Sequence, residues 1–362
     1  MRIVIAGGGT GGHLMPALAI AEALRALRPE VEPVLVGARR GVEAELLPRR
    51  PYRFYLLPAE PLYRRQWWKN TRWIALAPRL YAACRTLLAT ERPAVVVGTG
   101  GYAAAPVLLA ARAGGLRCVL QEQNAVPGLT TRWFAKSALQ IHLGFPEAAP
   151  RLRPGIRTQV KVFGNPVAPP PQGLDRRVAR ERLGLPARGP VALVFGGSQG
   201  SGALNRATAG MLEQRLLAGV AVCWGTGAAH WDQYRHYDRP PQVHVRPFWD
   251  PIAEAYRASD VVVARAGAMT TAELCAYGLP AVLVPLPTAA ADHQTRNAEA
   301  LAAAGAARHL AEVDLTPSVL AGHVRPILDD PILAQRMAQA ALARGFPDAS
   351  RRIAEAILSL GL

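Results

Sequence analysis

Short apolar runs alternate with amphipathic stretches along most of the chain. In the first half these runs are rich in β-branched residues and are bounded by glycine or proline, which predicts buried parallel strands at residues 3–6, 33–36, 94–97 and 117–120. After the first run, apolar residues recur at helical spacing: Leu14, Ala17, Leu18, Ala21 and Leu24. This spacing predicts an amphipathic helix directly after the first strand.

The second half repeats the alternation. Strands are predicted there at residues 191–195, 220–224, 243–246, 261–263 and 281–284. Alternating strands and helices in both halves predict an α/β protein made of two doubly wound, Rossmann-like domains.

A proline-rich stretch separates the two halves. Residues 164–171, Gly-Asn-Pro-Val-Ala-Pro-Pro-Pro, cannot join either sheet, because proline lacks a backbone donor and stiffens the chain. We therefore expect domains at residues 1–163 and 164–345. The amphipathic end of the chain, about residues 346–362, predicts a helix that packs on either domain, and the first is our expectation.

Composition narrows the class of protein. The chain has 362 residues and a formal net charge of +16, which favours nucleic acid, an anionic membrane surface or phosphorylated substrates as partners. Genome bias or heat adaptation is an alternative cause of the arginine excess. The four cysteines are dispersed, which favours a reduced, cytoplasmic setting. Residues 94–111 carry no charge, but their glycines and proline favour a strand, a glycine turn and a helix over a membrane span.

Glycine-rich turns follow two of the predicted strands. The first turn is Gly-Gly-Gly-Thr-Gly-Gly at residues 7–12, and the second is Gly-Gly-Ser-Gln-Gly at residues 196–200. Backbone N–H groups of such turns, together with the N-terminus of the next helix, attract phosphate. The two turns predict either two lobes that face one phosphorylated ligand or one ligand for each lobe. A third turn at residues 98–102 can share a pyrophosphate with the first, or it is simply a tight connection.

The first turn also matches the dinucleotide fingerprint G-x-G-x-x-G. That fingerprint expects an acidic residue after the second strand, where this chain has Arg39 and Arg40. An arginine can accept a 2′-phosphate, so an NADP-dependent dehydrogenase stays open as an alternative.

Two further segments carry candidate chemistry. His13 directly follows the first turn, where an imidazole can take a proton from an attacking hydroxyl; a phosphate contact or a hydrogen bond at the helix start is the alternative. At residues 265–273, Thr270 and Thr271 are expected to cap a helix and to face a diphosphate. Glu273 lies one turn further on, where a carboxylate can accept both hydroxyls of a ribose. A simple capping box is the alternative.

Together these motifs resemble the MurG family of glycosyltransferases, glycosyltransferase family 28. Seven motifs occur in the expected order and span nearly the whole chain, at residues 7–13, 98–102, 122–128, 164–167, 196–200, 267–273 and 292–294. The resemblance implies the GT-B fold, with a cleft between the two domains.

The resemblance also implies the reaction. It implies an inverting transfer of N-acetylglucosamine from UDP-GlcNAc to the 4-hydroxyl of undecaprenyl-pyrophosphoryl-MurNAc-pentapeptide, a step of peptidoglycan synthesis that supports cell shape and division. The C-terminal domain is expected to bind UDP-GlcNAc and the N-terminal domain the lipid-linked acceptor. No Asp-x-Asp motif occurs in the sequence, so we expect neither a metal nor a cofactor.

The family's motifs assign roles to individual residues. His13 is the leading candidate for the catalytic base and Glu122 is the second. The acceptor pyrophosphate is expected at Gly100, Gly101 and Tyr102. Donor-binding residues are expected throughout the remaining motifs: Thr10, Gly11, Gly12, Asn124, Ser198, Trp249, Ala268, Met269, Thr270, Thr271, Ala272, Glu273 and Gln294.

The resemblance makes some of these roles more specific. Glu273 is expected to hold the ribose, Ser198 to meet the diphosphate, and Trp249 to offer a backbone contact to uracil. The chain departs from the family's usual residues at Ala168, where arginine is common, and at Thr131, where asparagine is frequent.

One segment interleaves aromatic residues with cations. Residues 63–74 read Tyr-Arg-Arg-Gln-Trp-Trp-Lys-Asn-Thr-Arg-Trp-Ile. Indole rings favour the bilayer interface and arginine favours anionic lipid, so we predict peripheral docking on the cytoplasmic face of the inner membrane. A solvated loop and a nucleic-acid surface are the alternatives.

Two other functions stay open. One is a UDP-GlcNAc epimerase with the same fold, which would consume UDP-GlcNAc without a lipid acceptor. The other is a basic nucleic-acid-binding protein without catalysis. No segment resembles a known nucleic-acid-binding module, so we expect no nucleic acid as a partner.

Overall fold

The protein contains two parallel β-sheets, each in its own compact unit. The computed structural model describes residues 1–9, 11–61, 67–197 and 199–360, with the backbone alone at residues 67, 69 and 73–75. The N-terminal unit comprises Met1–Ala168 and Asp348–Leu362, and the C-terminal unit comprises Pro169–Pro347. The division after Ala168 falls inside the proline-rich stretch 164–171.

The sheet of the N-terminal unit has seven parallel strands in the order β3-β2-β1-β4-β5-β6-β7. Their bounds are β1 Arg2–Gly7, β2 Glu32–Ala38, β3 Arg53–Leu57, β4 Val95–Gly100, β5 Arg117–Glu122, β6 Gln140–Leu143 and β7 Gln159–Val162. The sequence pattern predicts neither β3, β6 nor β7. Strands β3 and β7 lie at the edges of the sheet and include polar residues, and β6 carries Gln140 and His142 in a buried strand.

Helices connect these strands on both faces of the sheet. Their bounds are α1 Gly11–Leu27, α2 Glu43–Leu46, α3 Trp73–Glu91, α4 Gly101–Ala113 and α5 Leu129–Phe134. The predicted apolar stripe of α1 is buried, including Leu14, Leu18 and Leu24. The interpretation of residues 94–111 as strand, glycine turn and helix is confirmed by β4 and α4. No helix among the described residues combines the length and the hydrophobicity needed to cross a bilayer.

The sheet of the C-terminal unit has six parallel strands in the order β10-β9-β8-β11-β12-β13. Their bounds are β8 Val191–Phe195, β9 Ala221–Gly225, β10 Val243–Arg246, β11 Val261–Ala264, β12 Ala281–Leu283 and β13 Ala307–His309. The helices of this unit are α6 Arg176–Leu183, α7 Gly202–Glu213, α8 Trp231–Tyr234, α9 Ile252–Ala258, α10 Ala268–Tyr277, α11 His293–Ala303, α12 Pro317–Asp329 and α13 Pro331–Ala343. Among the described strands of this unit, only β13, an edge strand of three residues, is not predicted from the sequence pattern.

The last helix, α14 (Ala349–Leu358), belongs to the N-terminal unit. It packs against α1, and its apolar face joins the cluster that also contains Leu14 and Leu18. Ile353 and Ile357 are fully buried in that cluster. The end of the chain thereby completes one face of the first sheet.

The strand orders fix where a ligand can bind in each unit. In the N-terminal unit the order reverses between β1 and β4, and in the C-terminal unit it reverses between β8 and β11. The helices that follow such neighbouring strands lie on opposite faces, which opens a crevice at the carboxyl ends of the strands. The glycine turns after β1, β4 and β8 and the start of α10 after β11 all lie at these two reversal points. The predicted α/β class with two doubly wound domains is confirmed.

Candidate active site

The first glycine turn is packed too tightly to carry side chains. A Cβ on Gly7 would overlap the Thr99 hydroxyl, and one on Gly8 would overlap the carboxylate of Glu43. Gly9 has a φ of +100° and lies against the ring of Tyr102. This position therefore requires glycine both for its backbone conformation and because a Cβ would collide with that ring. The backbone of this turn is therefore closely packed by side chains of other elements, and the N–H of Gly9 donates to Oε1 of Glu43.

His13 lies in the first turn of α1, at the reversal point of the sheet. Its Nδ1 is 3.1 Å from the carbonyl oxygen of Thr99 and 3.1 Å from Oε1 of Gln123. The ring also lies against the third glycine turn, because a Cβ on Gly100 would come within 2.9 Å of Nδ1 and one on Gly101 within 3.0 Å of Cδ2. The structure thus brings His13 together with Gly100 and Gly101.

Glu122, the second candidate for the base, is buried at the end of β5. Its Oε1 accepts from the backbone N–H of Asn124 at 3.1 Å and from the Asn124 side-chain amide at 3.4 Å. Its Oε2 accepts from the N–H of Gly128 at 2.9 Å and from the Thr131 hydroxyl at 2.6 Å. A carboxylate with this many donors organises the loop between β5 and α5, and Thr131 supplies one of the donors.

The glycine turn of the C-terminal unit precedes α7. Gly200 and Gly227, both with positive φ, allow the loops after β8 and β9 to pack backbone against backbone. Ser201 is the N-cap of α7, and its hydroxyl accepts from the N–H of Leu204 at 3.3 Å. Arg265 donates to that same hydroxyl at 2.7 Å and also forms an ion pair with Glu312. Arg265 therefore ties the end of β11 to the start of α7.

The start of α10 differs from the sequence prediction. The expectation that Thr270 and Thr271 cap this helix is wrong, because Gly267 occupies the N-cap position. Thr271 is fully buried, and its hydroxyl donates to the carbonyl of Ala268 at 3.0 Å. Its backbone N–H is also used, donating to Gly267 at 2.9 Å. The contribution that a helix start can make to anion binding comes instead from the N–H groups of Met269 and Thr270, which have no acceptor within the helix.

Glu273 lies on the second turn of α10. Its Oε2 accepts from the hydroxyl of Tyr256 at 2.8 Å. Burial raises the pKa of Glu273, and the hydrogen bond from Tyr256 acts in the opposite direction. Tyr256 is itself fully buried, with its ring 6.1 Å from that of Phe195 and 5.2 Å from that of Tyr277.

Trp249 lies at the same edge of the second sheet. A Cβ on Gly225 would come within 3.2 Å of Trp249 Cδ1 and within 3.1 Å of Phe195 Cβ. Trp249 and Phe195 thus both lie against Gly225, and the ring of Phe195 in turn neighbours that of Tyr256. Gln294, at the start of α11, accepts with Oε1 from the N–H of Leu286 at 2.9 Å, so its amide NH₂ remains as a donor.

The predicted residues therefore gather in two places. His13 and Tyr102, together with the glycine turns, lie at the reversal point of the first sheet, and Glu122 and Asn124 lie at the end of the neighbouring strand β5. Met269, Thr270 and Glu273 lie at the reversal point of the second sheet. Thr10 and Ser198 lie outside the described residues. Ala272 is half-buried in α10.

Sequence reasoning missed several residues beside these sites: Glu43, Thr99, Gln123, Tyr256 and Arg265. Gln123 lies inside the motif 122–128 and Arg265 lies two residues before the motif 267–273, so their positions offered a signal. Tyr256 and Glu43 offered none, because their roles come from contacts with residues distant in the sequence.

Family models match both halves of the chain. The glycosyltransferase family 28 N-terminal domain matches residues 3–143, and the glycosyltransferase family 28 C-terminal domain matches residues 191–353. The predicted enzyme class, a glycosyltransferase, is therefore confirmed.

Full-length relatives and a solved structure agree with these models. A protein of Salinibacter ruber is 42% identical and covers 99% of this chain and 96% of its own length. One of Desulforudis audaxviator is 39% identical, with 99% and 98% covered. Both are named UDP-N-acetylglucosamine–N-acetylmuramyl-(pentapeptide) pyrophosphoryl-undecaprenol N-acetylglucosamine transferase.

The crystal structure of Acinetobacter baumannii MurG superposes with a TM-score of 0.79 at 28% identity, with 99% of each chain covered. The GT-B fold and the resemblance predicted from the sequence are thus confirmed. The chain belongs to glycosyltransferase family 28, in the MurG family of N-acetylglucosamine transferases.

Proposed function

We propose that the protein transfers N-acetylglucosamine from UDP-GlcNAc to the 4-hydroxyl of undecaprenyl-pyrophosphoryl-MurNAc-pentapeptide, with inversion at the anomeric carbon. The observation that carries this proposal is the full-length match, at 42% identity, to a relative named for that activity. The two reversal points, each with glycine turns or helix starts, supply the anion sites that two diphosphate-bearing substrates need.

The C-terminal unit is the donor-binding domain. The N–H groups at the start of α10 and the N-terminus of α7 hold the diphosphate of UDP-GlcNAc. Glu273, with Oε2 held by Tyr256, accepts the hydroxyls of the ribose. Trp249 lies beside the uracil, and the amide NH₂ of Gln294 donates to the transferred sugar.

The N-terminal unit binds the acceptor and supplies the base. The turn at residues 100–102 holds the acceptor pyrophosphate, and His13 takes the proton of the 4-hydroxyl. Glu122 acts indirectly, because it holds the loop that carries Asn124.

The reaction is a single displacement. The acceptor oxygen forms a bond to the anomeric carbon as the bond between that carbon and the β-phosphate oxygen breaks, and the proton of the hydroxyl passes to His13. Negative charge develops on the departing UDP, where N–H groups fixed before reaction stabilise it. The arrangement provides this stabilisation through the helix starts of the C-terminal unit.

Peripheral docking on the cytoplasmic face of the inner membrane follows from the lipid-linked acceptor. The contacting helices α4 and α5 both expose apolar side chains, and Trp133 on α5 is 57% exposed. Arg112, Arg132 and Lys136 are exposed on the same two helices or directly after them. Trp68, in the aromatic and cationic segment 63–74, is 55% exposed. Exposed indole rings beside cations favour an anionic bilayer surface.

The proposed function is tested by turnover with a short-chain lipid-linked muramyl-pentapeptide. We expect UDP release that depends on the acceptor and a disaccharide product detected by mass spectrometry. UDP-GlcNAc consumption without the acceptor would instead indicate an epimerase. Absence of saturable UDP binding, with retention on DNA, would indicate the nucleic-acid-binding alternative.

A further inference from the structure

We propose that Gln123 is a positioning residue that fixes His13 in the tautomer with its proton on Nδ1 and its lone pair on Nε2. The proposal rests on the proposed role of His13 as the base. It assigns Nε2 as the atom that receives the proton, and Gln123 and Thr99 as the groups that select this atom.

The orientation of the Gln123 amide follows from its neighbours. Its Nε2 lies 2.8 Å from the carbonyl oxygen of Thr99 and 3.1 Å from that of Gln121. Backbone carbonyls only accept, so the nitrogen of the amide must face them. Oε1 of Gln123 is therefore the atom directed at His13.

The tautomer of His13 follows in turn. Nδ1 faces Oε1 of Gln123 and the carbonyl oxygen of Thr99, each at 3.1 Å. Neither oxygen has a hydrogen to donate, so Nδ1 must carry the proton. In the neutral ring the lone pair then belongs to Nε2. When His13 takes a proton, Nδ1–H keeps both acceptors, so no partner has to move during the reaction.

The acceptors are held rigidly. Gln123 and Thr99 are buried, and the Thr99 hydroxyl donates to the backbone carbonyl of His13 at 2.8 Å. The side chain of Asn165 donates to the carbonyl of Gln123 at 2.9 Å. Because Gln123 is neutral, it orients the ring without placing a negative charge beside the proposed pyrophosphate site.

The tautomer is directly measurable by ¹⁵N NMR of histidine-labelled protein. The His13 signals are those that disappear in His13→Gln. For neutral His13 we expect a protonated, pyrrole-type Nδ1 and a pyridine-type Nε2. The opposite pattern, or an equal mixture of tautomers, would overturn the proposal.

Gln123→Met tests the role of the glutamine, because it removes the acceptor while keeping the length of the side chain. We expect the Nε2–H tautomer to gain population and kcat to fall about tenfold or more, since only rings with the lone pair on Nε2 react. Affinity for UDP should not change. Unaltered tautomer and kcat would show that Gln123 does not position His13.

The matched control is Gln140→Met. Gln140 is also buried in the N-terminal unit and bonds a histidine, with Oε1 2.9 Å from Nε2 of His142, but it lies outside the proposed site. Gln140→Met should leave the His13 tautomer and kcat unchanged. A fall in kcat as large as that of Gln123→Met would show that lost packing, and not the position of His13, causes the effect. If His13→Ala retained turnover while the tautomer was as predicted, the base role would fail and the tautomer assignment would stand.

Discussion

Two buried glutamates of the N-terminal unit, Glu122 and Glu43, differ in the hydrogen bonds that their carboxyl oxygens accept. Glu122 has donors on both carboxylate oxygens. Glu43, at the start of α2, accepts at Oε1 from the N–H of Gly9, but its Oε2 is buried with no hydrogen-bond partner among the described residues. Burial raises the pKa of Glu43. Burial thereby favours the protonated form of Glu43 more than in an exposed glutamate.

The raised pKa of Glu43 predicts a dependence of stability on pH. A carboxyl whose folded pKa exceeds its unfolded value contributes stability that is complete below the usual value of 4.5 and is lost as the pH rises through the folded pKa. Glu43→Gln has no carboxyl to ionise and therefore does not lose this stability as the pH rises. The difference in unfolding free energy, variant minus wild type, should therefore increase with pH, by at most about 1.4 kcal/mol per pH unit. Urea denaturation between pH 4 and pH 8 measures it. Parallel curves would contradict the prediction, and Glu45→Gln, on the exposed side of α2, is the control.

The hydrogen bond from Tyr256 to Glu273 predicts a second effect. Tyr256→Phe keeps the buried ring but leaves Glu273 Oε2 without this donor, and a bond to a charged group contributes roughly 1.5–3 kcal/mol. We expect UDP affinity measured by calorimetry to fall about tenfold. The loss should largely vanish with 2′,3′-dideoxy-UDP, which lacks the hydroxyls that Glu273 accepts. An equal loss for both ligands would show that Tyr256 acts on the fold alone; Tyr277→Phe, on the neighbouring ring, serves as the control.

At the scale of elements, the two ends of α4 make unequal demands on glycine. Gly101 has a φ of +78°, and a Cβ there would overlap the carbonyl oxygen of Gly8. Gly115, just beyond the other end, has a φ of +69° with open space around it. Only the first position combines backbone strain with a collision, and it is the one next to His13.

The comparison of Gly101→Ala with Gly115→Ala tests this difference. Gly115→Ala should cost about 1–2 kcal/mol for the left-handed conformation alone and leave turnover unchanged. Gly101→Ala should cost more and also lower turnover, because the turn must move away from Gly8. Chemical denaturation and the turnover assay measure both. Equal losses of stability with equal turnover would contradict the packing argument.

The sequence predicts elements well where local pattern decides them, and poorly where distant contacts do. Runs of buried β-branched residues predict the central strands, but β6 carries the polar residues Gln140 and His142, which are buried and form a hydrogen bond with each other. The N-cap of α10 is Gly267, because backbone geometry rather than the nearest hydroxyl sets the start of that helix. Glycine turns identify both reversal points. The tautomer of His13 requires residues 99 and 123, which no local pattern connects.

For the whole molecule, the net charge of +16 and the exposed aromatic residues both support the proposed docking on an anionic membrane. Replacing Trp67, Trp68 and Trp73 with Ser should release the protein from anionic vesicles, because indole insertion adds to attraction by cations. Sedimentation with vesicles measures it, and unaltered UDP binding controls for folding. Unchanged sedimentation would remove this segment from the proposed surface.

In the proposed mechanism, His13 is the base of the sugar transfer. The most direct measurement compares wild type with His13→Ala in turnover of UDP-GlcNAc and a short-chain lipid-linked muramyl-pentapeptide, alongside calorimetric titration with UDP. We expect His13→Ala to lose turnover by roughly 100-fold or more, with unchanged UDP affinity. Near-normal turnover in His13→Ala would contradict it.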